Sequence, residues 1–163
     1  ANAMLRDELD IAWASRQTGL PLDDPYQALT LASLIERETA LAAERPLIAG
    51  VFTRRLQLGM RLQTDPAVIY GIGPDFNGDL TRRDLRRDTP YNTYTRDGLP
   101  PTPIALAGAE SLQAAVTPAD GDALYFVATG LGDGSHSFTA TLDEHNAAVA
   151  RYLARLRADK NGG

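Results

Sequence analysis

Glu38 is the residue in this chain best placed to do acid–base chemistry. It lies in the stretch Thr30-Leu-Ala-Ser-Leu-Ile-Glu-Arg-Glu-Thr-Ala-Leu-Ala-Ala-Glu-Arg45. In a helix each residue turns about 100° around the axis. Leu31, Leu34, Ile35, Leu41 and Ala42 then gather on one side with Glu38 in the middle of the stripe, and Glu36 points away toward solvent. A carboxylate on an apolar face is costly to bury as an anion, so its pKa should rise. A carboxyl still protonated near neutrality is what a general acid needs. The competing reading is a structural glutamate paired with Arg45, Arg54 or Arg55.

A second acid would set the type of glycoside chemistry. Hydrolases of the usual kind need two carboxylates about 5–9.5 Å apart. Asp65 is the candidate, although its place before Pro66 also suits helix capping. With no second carboxylate, one glutamate must act as acid and then base, which suits an intramolecular transfer to the sugar's own hydroxyl. Gln63, Tyr91, Asn92 and Tyr94 supply the amides, hydroxyls and ring faces that hold sugars. Each also has a plainer reading in packing, and Asn92 in a turn.

His136 and His145, with Glu44 or Asp143, could suggest a metal site, but they show no ligand spacing of the His-Glu-x-x-His kind. No metal or cofactor is expected. The glycines at 71 and 73, and at 130, 132 and 134, are not followed by Gly-Lys-Ser/Thr, so they form no phosphate loop. There is no Gly-x-Ser-x-Gly elbow.

The 163 residues, 44% hydrophobic and 23% charged, suffice for one soluble domain with a substantial core. A net charge of -5 argues against a nucleic-acid partner, which wants a cationic footprint. Cysteine is absent, which rules out disulfides and thiolate zinc sites. No stretch approaches the roughly 18 apolar residues of a membrane span. Ala1-Asn2-Ala3-Met4 reads as a tag scar, leaving 5–158 as the expected domain.

The elements that must position these groups follow from periodicity and punctuation. Leu5, Leu9, Ala12 and Trp13 predict a first helix ending before Gly19-Leu20-Pro21, with Trp13 in packing rather than sugar stacking. Asp24, Pro25 and Gln27 predict a capped start for the helix carrying Glu38, which should run to Ala43. Arg45-Pro46 breaks it and starts another, stopped at Gly59. Thr64 or Asp65 should cap a short helix opened by Pro66, and Thr81-Arg-Arg-Asp84 a second capping box ending near Arg87. Thr89 to Ile104 is a long proline-bearing loop of the kind that carries function. A short helix from Gly108 to Val116 should follow. Ala123–Thr129 and His136–Thr141 predict a hairpin. A final helix should run from Leu142 to Ala158, with Ala148, Tyr152, Leu153 and Leu156 on its buried side and Lys160 to Gly163 frayed. The expectation is a single, mainly helical α+β domain with a small antiparallel hairpin.

Several strings together resemble the YceG-like (MltG) endolytic murein transglycosylases. They are Leu31-Ala-Ser-Leu-Ile-Glu-Arg-Glu-Thr39 with Glu44-Arg45, Val51-Phe-Thr-Arg-Arg-Leu56, Gly59-Met-Arg-Leu-Gln-Thr-Asp-Pro66 and Val68-Ile-Tyr-Gly71. Tyr91-Asn-Thr-Tyr94, Gly98-Leu-Pro-Pro101, Tyr125-Phe-Val127, His136-Ser-Phe138 and His145-Asn146 continue the likeness, which covers roughly Tyr26 to Leu156. The resemblance implies a lytic transglycosylase, a carbon–oxygen lyase with a lysozyme-like helix bearing the catalytic glutamate. It would cleave the β-1,4 bond between N-acetylmuramic acid and N-acetylglucosamine within glycan strands and leave a 1,6-anhydromuramoyl end. The family's catalytic glutamate lies in a Glu-Thr dipeptide, here Glu38-Thr39. Gln63, Tyr91, Asn92 and Tyr94 are the expected sugar contacts, and Arg45 is expected to orient Glu38 or the substrate's acidic peptide. The resemblance further implies a parent protein with an N-terminal membrane helix and a LysM-like region, acting outside the bacterial cytoplasmic membrane. Its partners would be peptidoglycan glycan strands and peptidoglycan synthases. The alternative is a non-catalytic glycan-binding module of a synthesis complex.

Overall fold

A computed structural model describes residues 2–162 of the chain. Its helices are α1 (Asn2–Ala14), α2 (Pro25–Glu38), α3 (Arg45–Leu58), α4 (Asp65–Ile72), α5 (Arg82–Arg86), α6 (Ala109–Val116) and α7 (Leu142–Gly162). Short 3-10 turns lie at Ala42–Glu44 and Gly73–Asp75. Strands β1 (Tyr125–Ala128) and β2 (His136–Thr139) pair antiparallel, with Tyr125 opposite Thr139 and Ala128 opposite His136. This is the expected α+β class, helix-dominated with one hairpin. No helix among the described residues is long and apolar enough to cross a membrane.

The core is built around α2. Leu31, Leu34 and Ile35 are fully buried, together with Ile48 and Phe52 of α3 and Leu112, Ala115 and Val116 of α6. Leu5, Leu9 and Trp13 of α1 pack partly buried against this cluster. Trp13 also carries the Arg16 guanidinium 4.1 Å from its ring centre, so it serves packing as expected. Phe126 of β1 meets Phe52 edge-on at 5.7 Å, which fastens the hairpin to α3.

Helix α2 is shorter than its pattern suggests. It stops at Glu38 rather than Ala43, because Thr39 turns to an extended conformation and its hydroxyl accepts the Leu41 N–H at 3.0 Å. That side-chain bond competes with continued helix. Leu41 and Ala42 therefore leave the stripe. The start matches the Asp24 cap, whose carboxylate accepts the Gln27 N–H at 2.9 Å. Gln27 differs from the predicted box by reaching back one residue further, accepting from the Asp23 N–H at 2.9 Å.

Glu36 is not a solvated residue. Its carboxylate accepts the Gly108 N–H at 2.8 Å and the Ser111 hydroxyl at 3.3 Å, satisfying free donors at the start of α6. The Thr81–Asp84 capping box forms as predicted, and Gly59 ends α3 in the left-handed region. The strands are shorter at their ends than predicted.

Helix α7 is longer than predicted, reaching Gly162, so Lys160 and Asn161 are helical; Gly163 and Ala1 lie outside the described residues. Its buried side is also smaller. Ala148 is buried, whereas Leu153 and Leu156 are exposed, because α7 packs on a two-stranded hairpin too narrow to cover a full helical face.

Candidate active site

Glu38 ends α2 at the wall of a cavity of about 490 Å³, bounded by α3, the 62–65 segment, Tyr94, the hairpin and α7. Its side chain is half-buried, and burial, the largest effect, pushes its carboxyl up to about 7. Nearby Asp65 adds to the rise, while the Thr64 hydroxyl and the charge of His136 oppose it. The carbonyl end of α2 likewise disfavours an anion there. None of the three arginines considered as ion-pair partners reaches it. Arg45 pairs with Glu110 at 2.5 Å, Arg54 bonds the Ala119 and Ala123 carbonyls, and Arg55 bonds those of Leu124 and Arg61.

Of the two capping candidates for α4, Thr64 and Asp65, Thr64 occupies the N-cap position. Its hydroxyl makes no capping bond and instead donates to Glu38 Oε1 at 2.8 Å. Asp65 does not cap either: its Oδ1 accepts the Tyr94 hydroxyl at 2.5 Å. Helix α4 thus begins without the side-chain cap that such residues normally supply, and both polar groups face the acid's surroundings.

Gln63, Asp65 and Tyr94 line the cavity with Glu38, so two of the four expected sugar contacts meet both candidate acids. Gln63 is held by its N–H donating to the Thr93 carbonyl at 3.2 Å, in the left-handed backbone region at φ 52°. Burial and Asp65 together push the Tyr94 phenol well above its ordinary range.

Three other candidates stand elsewhere. Asn92 is buried, and its amide donates to the Leu85 and Arg87 carbonyls at 2.9 and 2.7 Å while its Oδ1 accepts the Tyr94 N–H at 2.9 Å. Its side chain is spent on folding the 85–94 loop and does not line the cavity. Tyr91 bonds Thr102 at 2.7 Å and packs edge-on against Tyr70 at 4.9 Å, also outside the cavity lining. Arg45 faces Glu110 on α6 rather than Glu38. For each, secondary structure was predictable while the direction of the side chain was not.

The cavity also contains groups that pattern reading did not assign to it: Arg55, Tyr125, His136 and His145. His145 stacks on Tyr125 at 4.9 Å, and burial, followed by the Arg55 charge, lowers its proton affinity. His136 and Glu44, which the sequence offers as possible metal ligands, form a pair instead: Glu44 Oε1 lies 2.7 Å from His136 Nδ1, and Oε2 accepts the His136 N–H at 2.8 Å. Among the described residues no three His, Asp or Glu side chains gather as a ligand set. The assembled chemistry is a carboxyl of raised proton affinity with no arginine partner, a second carboxylate, hydroxyl and amide groups, and two imidazoles around one polar cleft. Such an arrangement can protonate a leaving oxygen and hold a sugar.

Comparisons with known proteins converge on one family. Residues 2–151 match the YceG-like family model. The chain is 47% identical to an endolytic murein transglycosylase of Bacillus subtilis (strain 168) over 129 residues, 79% of this chain and 35% of that protein. It is 34% identical to the endolytic murein transglycosylase of Streptococcus pneumoniae (serotype 2, strain D39) over 131 residues, 78% of this chain and 24% of that protein. A crystal structure of a YceG-like protein from Listeria monocytogenes superposes with a TM-score of 0.72 at 42% identity, covering 89% of this chain and 44% of that one. The chain therefore spans between about a quarter and a third of the length of these two transglycosylases.

Proposed function

The chain belongs to the YceG-like family, and from that premise we propose that it is the catalytic part of an endolytic peptidoglycan lytic transglycosylase, with Glu38 as its single acid–base group. The observation that carries the proposal is a carboxyl that holds its proton to about pH 7, free of any arginine, on the wall of a cleft large enough for sugar rings.

In this reaction Glu38 gives its proton to the oxygen between N-acetylmuramic acid and N-acetylglucosamine. The C1–O bond breaks through an oxocarbenium-like transition state, and the glucosamine side leaves with that proton. The muramoyl C6 oxygen then bonds to C1, and its hydroxyl proton passes to the Glu38 carboxylate. The 1,6-anhydro ring closes and Glu38 is restored. Thr64, donating to Oε1, steadies the carboxylate form between the two transfers. Gln63 and Tyr94 are the proposed sugar contacts from the cavity wall. The parent protein would act outside the cytoplasmic membrane on glycan strands, alongside peptidoglycan synthases.

One observation favours a second reading. Asp65 lines the same cavity as Glu38, as a hydrolase with a water-activating carboxylate would require. End-group chemistry separates the two. Purified peptidoglycan treated with the protein in ¹⁸O water should yield anhydro-muramoyl ends without label. Labelled reducing ends would sink the transglycosylase reading, and no new ends from the full-length parent would leave only glycan binding.

A further inference from the structure

His136 opens β2, and its ring is fixed from one side. Glu44 is buried, at 8% exposure, and uses both carboxylate oxygens on this one residue, on Nδ1 and on the backbone N–H. The Thr39 hydroxyl, on the residue after Glu38, lies 3.4 Å from the same Glu44 Oε1. Phe126 meets the imidazole edge-on at 5.6 Å. Nδ1–H donation to Glu44 leaves Nε2 as the ring's remaining polar atom, and Nε2 makes no hydrogen bond among the described residues although His136 lines the cavity. A buried carboxylate holding an imidazole by Nδ1 orients the ring and balances its charge when Nε2 is protonated.

We propose that the Glu44–His136 couple is a positioning device for Glu38: it holds the imidazole facing the cavity as the counter-charge that stabilises Glu38 once its proton has left. The inference rests on Glu38 being the acid of the proposed reaction. His136 neither gives nor takes a proton in the reaction. The proton Glu38 loses to the leaving oxygen is replaced by that of the C6 hydroxyl, so His136 ends as it began. The charge of His136 acts on Glu38 in the direction this role needs. The other charged or titratable groups around the carboxyl are Asp65 on α4, Arg55 on α3, Tyr94, Tyr125 on β1 and His145 on α7.

Nitrogen-15 NMR of the imidazole in the whole chain should show Nδ1 protonated in every form of His136. A neutral ring protonated on Nε2 alone would overturn the proposal, and this measurement needs no variant. The Glu38 carboxyl, followed by carbon-13 NMR, should titrate near pH 7 in the protein and at least half a unit higher in His136→Gln. An unchanged midpoint in a folded His136→Gln would also overturn it. On glycan strands, His136→Gln and Glu44→Gln should lower kcat tenfold or more with KM within twofold. If the NMR coupling holds while Glu38→Gln keeps full activity, the failure lies in the reading of Glu38 as the acid and not in the coupling.

Discussion

Thr64 Oγ1 stands 2.8 Å from Glu38 Oε1, joining the first residue before α4 to the last residue of α2. The bond takes the hydroxyl away from capping and gives the acid a single neutral donor. Thr64→Val, nearly isosteric at a buried position, should remove this donor with little change in packing. Because the bond lowers the proton affinity of Glu38, the variant's carboxyl should titrate above 7, and the alkaline limb of its kcat profile should move to higher pH as activity falls. A pH–rate series on purified glycan checks this; a limb that stays in place would separate Thr64 from the acid.

Glu38→Gln should reduce formation of anhydro-muramoyl ends by about 10²–10⁴-fold, the range general acid–base catalysis supplies. Mass spectrometry of released muropeptides measures it, and undiminished products would remove Glu38 from its role.

The same residue makes stability depend on pH. Folded Glu38 keeps its proton up to about 7, whereas an ordinary glutamate holds it only to 4.5. Between those values the folded state binds more protons than the unfolded chain, so stability should fall as pH rises through this window and level off above it. The loss should be on the order of 1–3 kcal/mol. Urea unfolding of Glu38→Gln at pH 4.5 and pH 8 should show this slope removed, with the variant the more stable protein at pH 8.

Asn92→Ala should cost about 1–3 kcal/mol of stability, since it removes a buried amide and leaves the part-buried Leu85 and Arg87 carbonyls and the Tyr94 N–H without their partner. If Asn92 served only as a sugar contact, the variant would instead keep its Tm and lose glycan affinity. Thermal unfolding beside a binding assay distinguishes the two.

Local pattern was enough to find α2, its Asp24 cap and its buried stripe, because burial every three to four residues is written directly in Leu31, Leu34 and Ile35. It also found the hairpin and the loops that bring Gln63, Asp65 and Tyr94 to Glu38. It could not find where α2 ends, because Thr39 is turned by a hydroxyl bond to the backbone and by Glu44 from the next turn. Nor could it tell Glu36 from a solvated residue, since its partners Gly108 and Ser111 lie more than 70 positions away. Glu44 and His136 were visible as residue types, but their pairing spans 92 positions and has no local signature. Asn92 and Gln63 looked alike as amides. Only packing assigns one to the inside of a loop and the other to the cavity.

Gln63 is the one non-glycine with a left-handed backbone among the described residues. Glycine would adopt that conformation without the penalty of roughly 1 kcal/mol or more that a side chain incurs there. At position 63, then, the backbone favours a residue that could not make the proposed sugar contact. Gln63→Gly should yield a more thermostable protein with weaker glycan affinity, read by thermal unfolding beside a glycan-binding assay, and unchanged affinity would take the side chain out of the proposed contact.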